Sequence, residues 1–373
     1  MSPLSPEGLE SVRRVTVIGT GLIGGSVGLA LRRAGLEVRG YDLDSAQARQ
    51  AWELGAVDTV APTLERAVAG ADAAIVAVPV GDVAALVVQA LDAGVPAVTD
   101  AGSVKGPIVR AIEKHRPDVA PRFVGGHPMA GSEQDGLEGA EADLFAGATW
   151  VLTPTENTAI SAFTRLRALV AELGAEVVAM TPEHHDALVA IVSHVPQLAA
   201  TTLMDVAAGS GEEHATLLRL AAGGFRDMTR IAAGHPGIWP DICVANREAI
   251  VGVLDDYLDA LIRVRDFVDE GDRGALLDIL ERARAARRSL PAGAPPGEAL
   301  AELRVPVPDK PGVLAEVTTL AGSLGINIAD VEIAHSIEGA SGVLVLVVAA
   351  GRAEELEAAL VARGYHCSWM VLP

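Results

Sequence analysis

The stretch VTVIGTGLIGGSVGLALRRAGLEVRGYDLD, residues 15–44, constrains the fold more than any other part of the chain. An apolar run ends in a turn whose glycines, Gly19, Gly21 and Gly24, are spaced G-x-G-x-x-G. A helical stretch opens there with Leu22 and Ile23, and a second apolar run ends in Asp42, about 20 residues on. Each part has a mechanical use: glycines let the backbone turn sharply and approach a pyrophosphate, whose charge suits a helix N-terminus. A carboxylate after the second strand binds the ribose hydroxyls and repels a 2′-phosphate, so the expected cofactor is NAD. Arg39 faces away from the ribose only if the second strand alternates its side chains regularly.

The pattern set by this unit continues. VTVIG, VRGYD, AAIVAVP, PAVTDAG, RFVGGHP, TWVLTP and AEVVAM alternate with helical stretches up to about Met180. Continuous Val/Ile/Ala runs interleaved with helices indicate an α/β fold with a doubly wound, Rossmann-type sheet. Val78 and Pro79, closing the third run, are expected at the cofactor. Strand signals stop after Thr181, and residues 183–290 have helical periodicity, with Pro196 expected to kink or break the first helix. These helices either form a dimer interface or pack on one another and on the sheet. PAGAPPG, 291–297, is a Pro/Gly linker. Beyond it the runs read βαββαβ, a ferredoxin-like unit. The expected domains are therefore 1–181, 182–290 and 298–373, joined by 291–297.

Composition narrows the function. A formal charge of −20 argues against nucleic acid or an anionic membrane as partner. No apolar run reads as long enough to span a bilayer, and MSPLSPEGLESVRR lacks the apolar region of a secretory signal. Cys243 and Cys367 match no metal or redox spacing and read as reduced thiols of a cytoplasmic protein. An acidic protein that binds an anion must do so with a few locally placed cations.

Polar residues at the strand ends supply candidate chemistry. VTDAGSVKGP places Ser103 after the fourth run, at the edge where such sheets bind ligands. Ser103 either contacts an imidazole or the nicotinamide, or caps the next helix. FVGGHPMAGSEQDG places His127 on the same edge, its backbone restricted by the proline that follows. A histidine beside a nicotinamide is suited to general base catalysis. In the helical block, SHVPQ carries His194 and Gln197, and GGFRDMTRIA carries Arg226 and Arg230, four apart. An arginine fork suits a carboxylate. Arg230, among apolar neighbours, reads as partly buried and the better ligand.

Taken in order, GTGLIGGS, DAGSVK, GGHPMAGSE, SHVPQ and the GGFRDMTRIA…P.IW.DI…N pattern resemble the prephenate/arogenate dehydrogenase family of tyrosine biosynthesis, over about residues 13–290. VPVPDKPGVLAEVTTLAGSLGINI resembles an ACT domain, a module that senses amino acids. The resemblance implies NAD-dependent oxidative decarboxylation of a cyclohexadienyl acid, prephenate or L-arogenate, without a metal. His127 would take the ring hydroxyl proton, and Ser103 would orient His127 and contact the same oxygen. Arg230 would grip a carboxylate, with His194, Ser132, Glu133, Gln197 and Arg226 at the pocket. Many family members carry a histidine where this chain has Gln197; the loss of that cation leaves both substrates open. The ACT resemblance implies feedback by tyrosine at Asp309, Gly312, Val313 and Asn327, or a domain kept for assembly.

Overall fold

The computed structural model describes residues 12–131, 136–208, 223–288, 299–308, 310–335 and 341–371. Its contacts divide the chain into two compact units, Met1–His214 with Thr229–Tyr257, and Ala215–Met228 with Leu258–Pro373.

The first unit is built on an eight-stranded sheet. The strands are β1 (Arg14–Ile18), β2 (Glu37–Tyr41), β3 (Thr59–Val60), β4 (Ala73–Val76), β5 (Val98–Asp100), β6 (Phe123–Pro128), β7 (Thr149–Thr153) and β8 (Glu176–Ala179). Their order is β3-β2-β1-β4-β5-β6-β7-β8. The first six are parallel, β7 runs antiparallel to β6, and β8 parallels β7. The order reverses between β1 and β4, which opens a crevice at the carboxyl ends of the strands. The pattern of apolar runs does not show β3, because two exposed residues make no such run.

Alternate residues of the strands feed a core on each face. Val15 and Val17 pack with Val27, Leu31, Trp150 and Leu166, while Ile18 and Val76 pack with Val83, Leu91, Ile108 and Ile112. Each such side chain contributes about 1.5–3 kcal/mol by leaving water. The loops at the strand ends therefore stand on a rigid base.

After β8 the chain enters one continuous helical run: α-helical over Pro182–Val189, π-helical over Ala190–His194 and α-helical over Val195–Ala208. The kink or break expected from Pro196 takes the form of this wide turn. Proline cannot donate to Val192 and its ring would crowd that carbonyl, so the ladder slips by one residue just before it. By length and composition the run Pro182–Ala208 is apolar enough to cross a membrane, contrary to the expectation that no segment is. Its composition has another use here. His185, Asp186, His194 and Gln197 are buried within the unit, and the first two bond into it. Helices Trp239–Ala245 and Arg247–Glu270 follow, then Arg273–Arg288.

The second unit contains β9 (Leu300–Pro308), a helix Val313–Ser323, β10 (Ile328–His335), β11 (Ser341–Ala349), a helix Ala350–Ala362 and β12 (Ser368–Val371). This is the βαββαβ order read from the sequence, in an antiparallel sheet β10-β11-β9-β12. Ala301, Leu303 and Val305 of β9 pack with Leu344, Leu346 and Val348 against Val317, Leu356 and Leu360. Gly312, at φ +93°, starts the first helix of this domain, and Val313 is its first residue. Asn327 is exposed just before β10. Asp309 lies outside the described residues.

Candidate active site

The glycine turn is shaped by what surrounds it. Gly19 has φ +90°, and a Cβ there would sit 2.2 Å from the Ala77 carbonyl oxygen. A Cβ on Gly24 would lie 1.8 Å from Gly19 O, so the helix and the turn touch backbone to backbone. Gly21 caps the helix Leu22–Arg33 without any side-chain bond, which leaves its first N–H groups for a ligand. Val78 lines the same turn, its Cγ1 lying 2.7 Å from where a Gly19 Cβ would stand, and Pro79 leads into the helix Val80–Asp92. Asp42 Oδ2 accepts from Thr20 N at 2.7 Å and from Thr20 Oγ1 at 3.0 Å, which pins the carboxylate beside the turn. Arg39 points elsewhere: it donates to the carbonyls of Arg66 and Ala69 and pairs with Glu37. No cation from Arg39 offsets Asp42, and the residues present fit a dinucleotide whose ribose carries no 2′-phosphate.

Two strands away, β5 and β6 are clamped by a buried ion pair. Asp100 Oδ1 accepts from Gly126 N at 3.0 Å and Oδ2 from Gly102 N at 2.9 Å. The Lys105 ammonium pairs with the same Oδ2 and donates to Gly126 O at 2.7 Å. Both polar groups of Gly126, the residue before His127, are thus fixed. Burial lowers the Lys105 pKa, and Asp100 opposes that shift. The glycine pair before His127 has a packing cause. A Cβ on Gly125 would meet Thr153 Oγ1 at 2.5 Å, and one on Gly126 would meet Asp100 O at 2.4 Å.

His127 itself is half-buried at the end of β6. Its Nδ1 lies 2.8 Å from His185 Nε2, and His185 Nδ1 lies 2.8 Å from Asp186 Oδ1. Asp186 also accepts from Lys105 N and Gly106 N, each at 2.8 Å, tying the helical run to the loop that carries Ser103. Burial, and then the charges of His185, Lys105 and His194, hold the His127 pKa well below the ordinary histidine range. The ring is therefore neutral at pH 7 and able to accept a proton.

His194 is fully buried in the π-helical turn, with Trp239 edge-on to it. Asn246 Nδ2 donates to Asp186 O at 2.8 Å and reaches His194 Nδ1 at 3.2 Å. The amide donates, so Nδ1 accepts and the ring proton belongs on Nε2. That Nε2 is buried without a hydrogen-bond partner among the described residues. Burial first, and then His185, push the His194 pKa down to about 4. It is a neutral donor.

Several expectations need correction. Among the described residues, the partner of His127 Nδ1 is His185, whereas Ser103 is the residue expected to orient the ring. Ser103 is half-buried in the loop beyond β5. Arg230 is exposed rather than partly buried; of its apolar neighbours Met228 is itself exposed, and Ile231 and Ala232 are only partly buried. The α-helix holding Arg226 ends at Thr229, and Arg230 begins a 3-10 turn, so no single α-helical face carries both. Arg226 is exposed in that helix, and Gln197 is buried. Ser132 and Glu133 lie outside the described residues. Lys105, His185, Asp186 and Asn246 are not among the residues singled out from the sequence. DAGSVK and EHHDAL contain three of them, and the adjacent polar residues His185 and Asp186 at the head of a largely apolar helical segment are the signal that could have found two.

The sequence matches the nucleotide-binding domain of prephenate dehydrogenase over residues 27–179, the prephenate dehydrogenase dimerization domain over 181–282 and the ACT domain over 301–362. It is similar to the prephenate dehydrogenase of Bacillus subtilis (strain 168), 34% identical over 338 residues, covering 88% of this chain and 90% of the relative. The structure is similar to that of prephenate dehydrogenase from A. aeolicus in complex with hydroxyphenyl propionate and NAD+. The TM-score is 0.68 at 30% identity, over 74% of this chain and 98% of that one. Arogenate dehydrogenase from Synechocystis matches with TM-score 0.64 at 30% identity, over the same shares.

Proposed function

Because the chain belongs to the prephenate/arogenate dehydrogenase family and is an NAD-dependent dehydrogenase with a C-terminal ACT domain, we propose that it converts prephenate to 4-hydroxyphenylpyruvate by oxidative decarboxylation. The observation that carries this reading is His127, a neutral imidazole fixed at the carboxyl end of the sheet, one strand from the loop of Ser103. Gly19, Gly21, Leu22, Ile23, Gly24, Asp42, Val78, Pro79 and Ser103 hold NAD, which when bound accepts hydride from the hydroxyl-bearing ring carbon. His127 takes the hydroxyl proton, and Ser103 contacts the same oxygen. His194 donates from Nε2 to the substrate, an N–H that otherwise stays buried and unpaired. Arg230 binds a carboxylate in the pocket that His127 faces. Its turn packs on the helix Val195–Ala208, which begins one residue after His194. Ser132, Glu133, Gln197 and Arg226 complete the surroundings. Loss of carbon dioxide then makes the ring aromatic.

His127→Asn is expected to cut kcat by about a thousandfold, because a positioned base contributes that much, while NAD affinity stays within about threefold. Stopped-flow NADH formation and NAD titration read the two effects. Equal loss of both would mean that the residue is structural.

The second reading, L-arogenate, is favoured by Gln197, which can donate a hydrogen bond but cannot become cationic near a substrate ammonium. Side-by-side rates on prephenate and L-arogenate, with NAD and NADP, separate the two. The domains we assign are 1–181, 182–290 and 298–373, with 291–297 as linker. The helical domain forms a homodimer, and the setting is the cytoplasm, in keeping with two free thiols. Tyrosine binds the ACT domain near Asp309, Gly312, Val313 and Asn327 and inhibits. Deleting 298–373 should abolish inhibition by tyrosine in the same assay.

A further inference from the structure

The contacts behind His127 determine which of its nitrogens carries the proton. Both oxygens of Asp186 face backbone donors, Oδ1 toward Lys105 N and Oδ2 toward Gly106 N. An oxygen already accepting from a backbone N–H, and 2.8 Å from His185 Nδ1, requires that Nδ1 carry a hydrogen. With its single ring hydrogen placed at Nδ1, His185 has its lone pair on Nε2, 2.8 Å from His127 Nδ1. One hydrogen must lie in that contact, and His127 Nδ1 is the only atom left to supply it. His127 Nε2 is thereby bare, as a base at that atom requires.

Resting on the reading of His127 as the base, we propose that His185 and Asp186 are positioning residues that hold His127 in its Nδ1–H tautomer and relay its charge. The substrate O–H bond breaks as Nε2–H forms, and Nδ1–H breaks as His185 Nε2–H forms. The O–H electron pair becomes the second carbon–oxygen bond as the hydroxyl-bearing carbon releases hydride with its C–H pair, which NAD+ would accept when bound. Positive charge then rests on His185 beside the Asp186 carboxylate. There the Asp186 carboxylate lies 2.8 Å from its other nitrogen, whereas burial and the charges of Lys105 and His194 disfavour an imidazolium at His127. The phenolate left by decarboxylation takes the proton back along the same path, so the cycle needs no outside acid. Asp186 also serves the scaffold, because capping the amides of Lys105 and Gly106 joins the Ser103 loop and the histidine pair into one piece.

The arrangement parallels the aspartate–histidine pairing of serine hydrolases in its logic, where a wrong tautomer costs about four orders of magnitude in kcat. Here the carboxylate acts through one imidazole on another.

The test uses full-length enzyme with 15N-labelled histidine, the His127 signals being assigned by comparison with His127→Asn. In the free wild-type enzyme Nδ1 should be protonated and Nε2 bare. His185→Leu removes the acceptor; the tautomer preference should vanish and kcat fall at least a hundredfold, with KM and NAD affinity within threefold. His185→Gln keeps an acceptor near the position of Nε2 but cannot take up a proton. It should retain the tautomer and lose kcat about tenfold. A wild-type His127 protonated on Nε2, or a leucine variant with kcat within threefold of wild type, would overturn the relay. If the leucine variant does not fold, the wild-type spectrum and the glutamine variant decide, and unchanged kcat in the latter is contrary. His127→Asn separates the two readings: if it leaves kcat intact, the base assignment itself has failed.

Discussion

The sheet region, residues 12–179, and the helical segments from 182 to 288 handle their apolar residues in opposite ways. In the sheet region the strands bury most of their Val, Ile and Leu side chains in two cores, one on each face of the sheet. In the helical segments the buried cluster is small, with Ala190, Val195 and Ile250 at its centre. Large apolar side chains face outward there: Val192 is 62% exposed and Val244 77%, with Ile191, Val206 and Leu258 also exposed. The sheet region completes its own core, whereas the helical segments present surface of a kind that a partner covers. The two meet at Asp186, whose carboxylate holds the start of the helix Gly106–His115 and touches the histidine pair. The candidate site therefore lies where a region with its own large core meets helical segments that leave large apolar side chains exposed.

The largest effect on stability belongs at the clamp. Lys105→Met is expected to cost about 3–5 kcal/mol, because it leaves the Asp100 carboxylate buried without its cation. Urea unfolding measures this. Loss of under about 1 kcal/mol would mean that the sheet region does not depend on the clamp. A smaller and different effect is expected from Val192→Asp. As an exposed position it should shift folding stability by no more than about 0.5 kcal/mol in the separate chain. Sedimentation equilibrium should nevertheless report a single 38.4 kDa chain, where the proposed homodimer would give twice that mass. An unchanged mass would remove this face from the interface. The mildest effect is the acid response of the unit. His194, held at about 4 by burial, and His127, held well below its ordinary value, both titrate near 6.5 when unfolded. Below about pH 6.5 the unfolded chain binds the extra protons, so stability is full above that pH and declines toward about pH 4. His194→Gln should shallow the decline in thermal melts; an equal slope would mean that His194 is not buried neutral.

The sheet region is legible in the sequence because its signals are local. Gly19, Gly21 and Gly24 must lie together on one turn, and the apolar runs alternate with helices within short spans of chain. The βαββαβ domain is readable for the same reason. What stays hidden depends on residues far apart in sequence. His185 meets His127 across 58 positions, and Asp186 meets Lys105 across 81. Within EHHDAL these residues show only a helical period. Arg230 is exposed despite its neighbours because apolar residues adjacent in sequence need not provide apolar cover in space. Gln197 does not select one substrate by pattern, since a glutamine serves a carbonyl, a carboxylate or an amine.

Whether a neutral imidazole at position 127 takes the substrate proton is tested most directly by the pH dependence of kcat/KM between about pH 4 and 9. That profile reports the free enzyme's base. With a pKa lowered by burial, kcat/KM should rise with unit slope in the acid and already be level by about pH 6.5, and His127→Asn should lack that limb. A rise that continues through about pH 7.5, or the same acid limb surviving in His127→Asn, would contradict it.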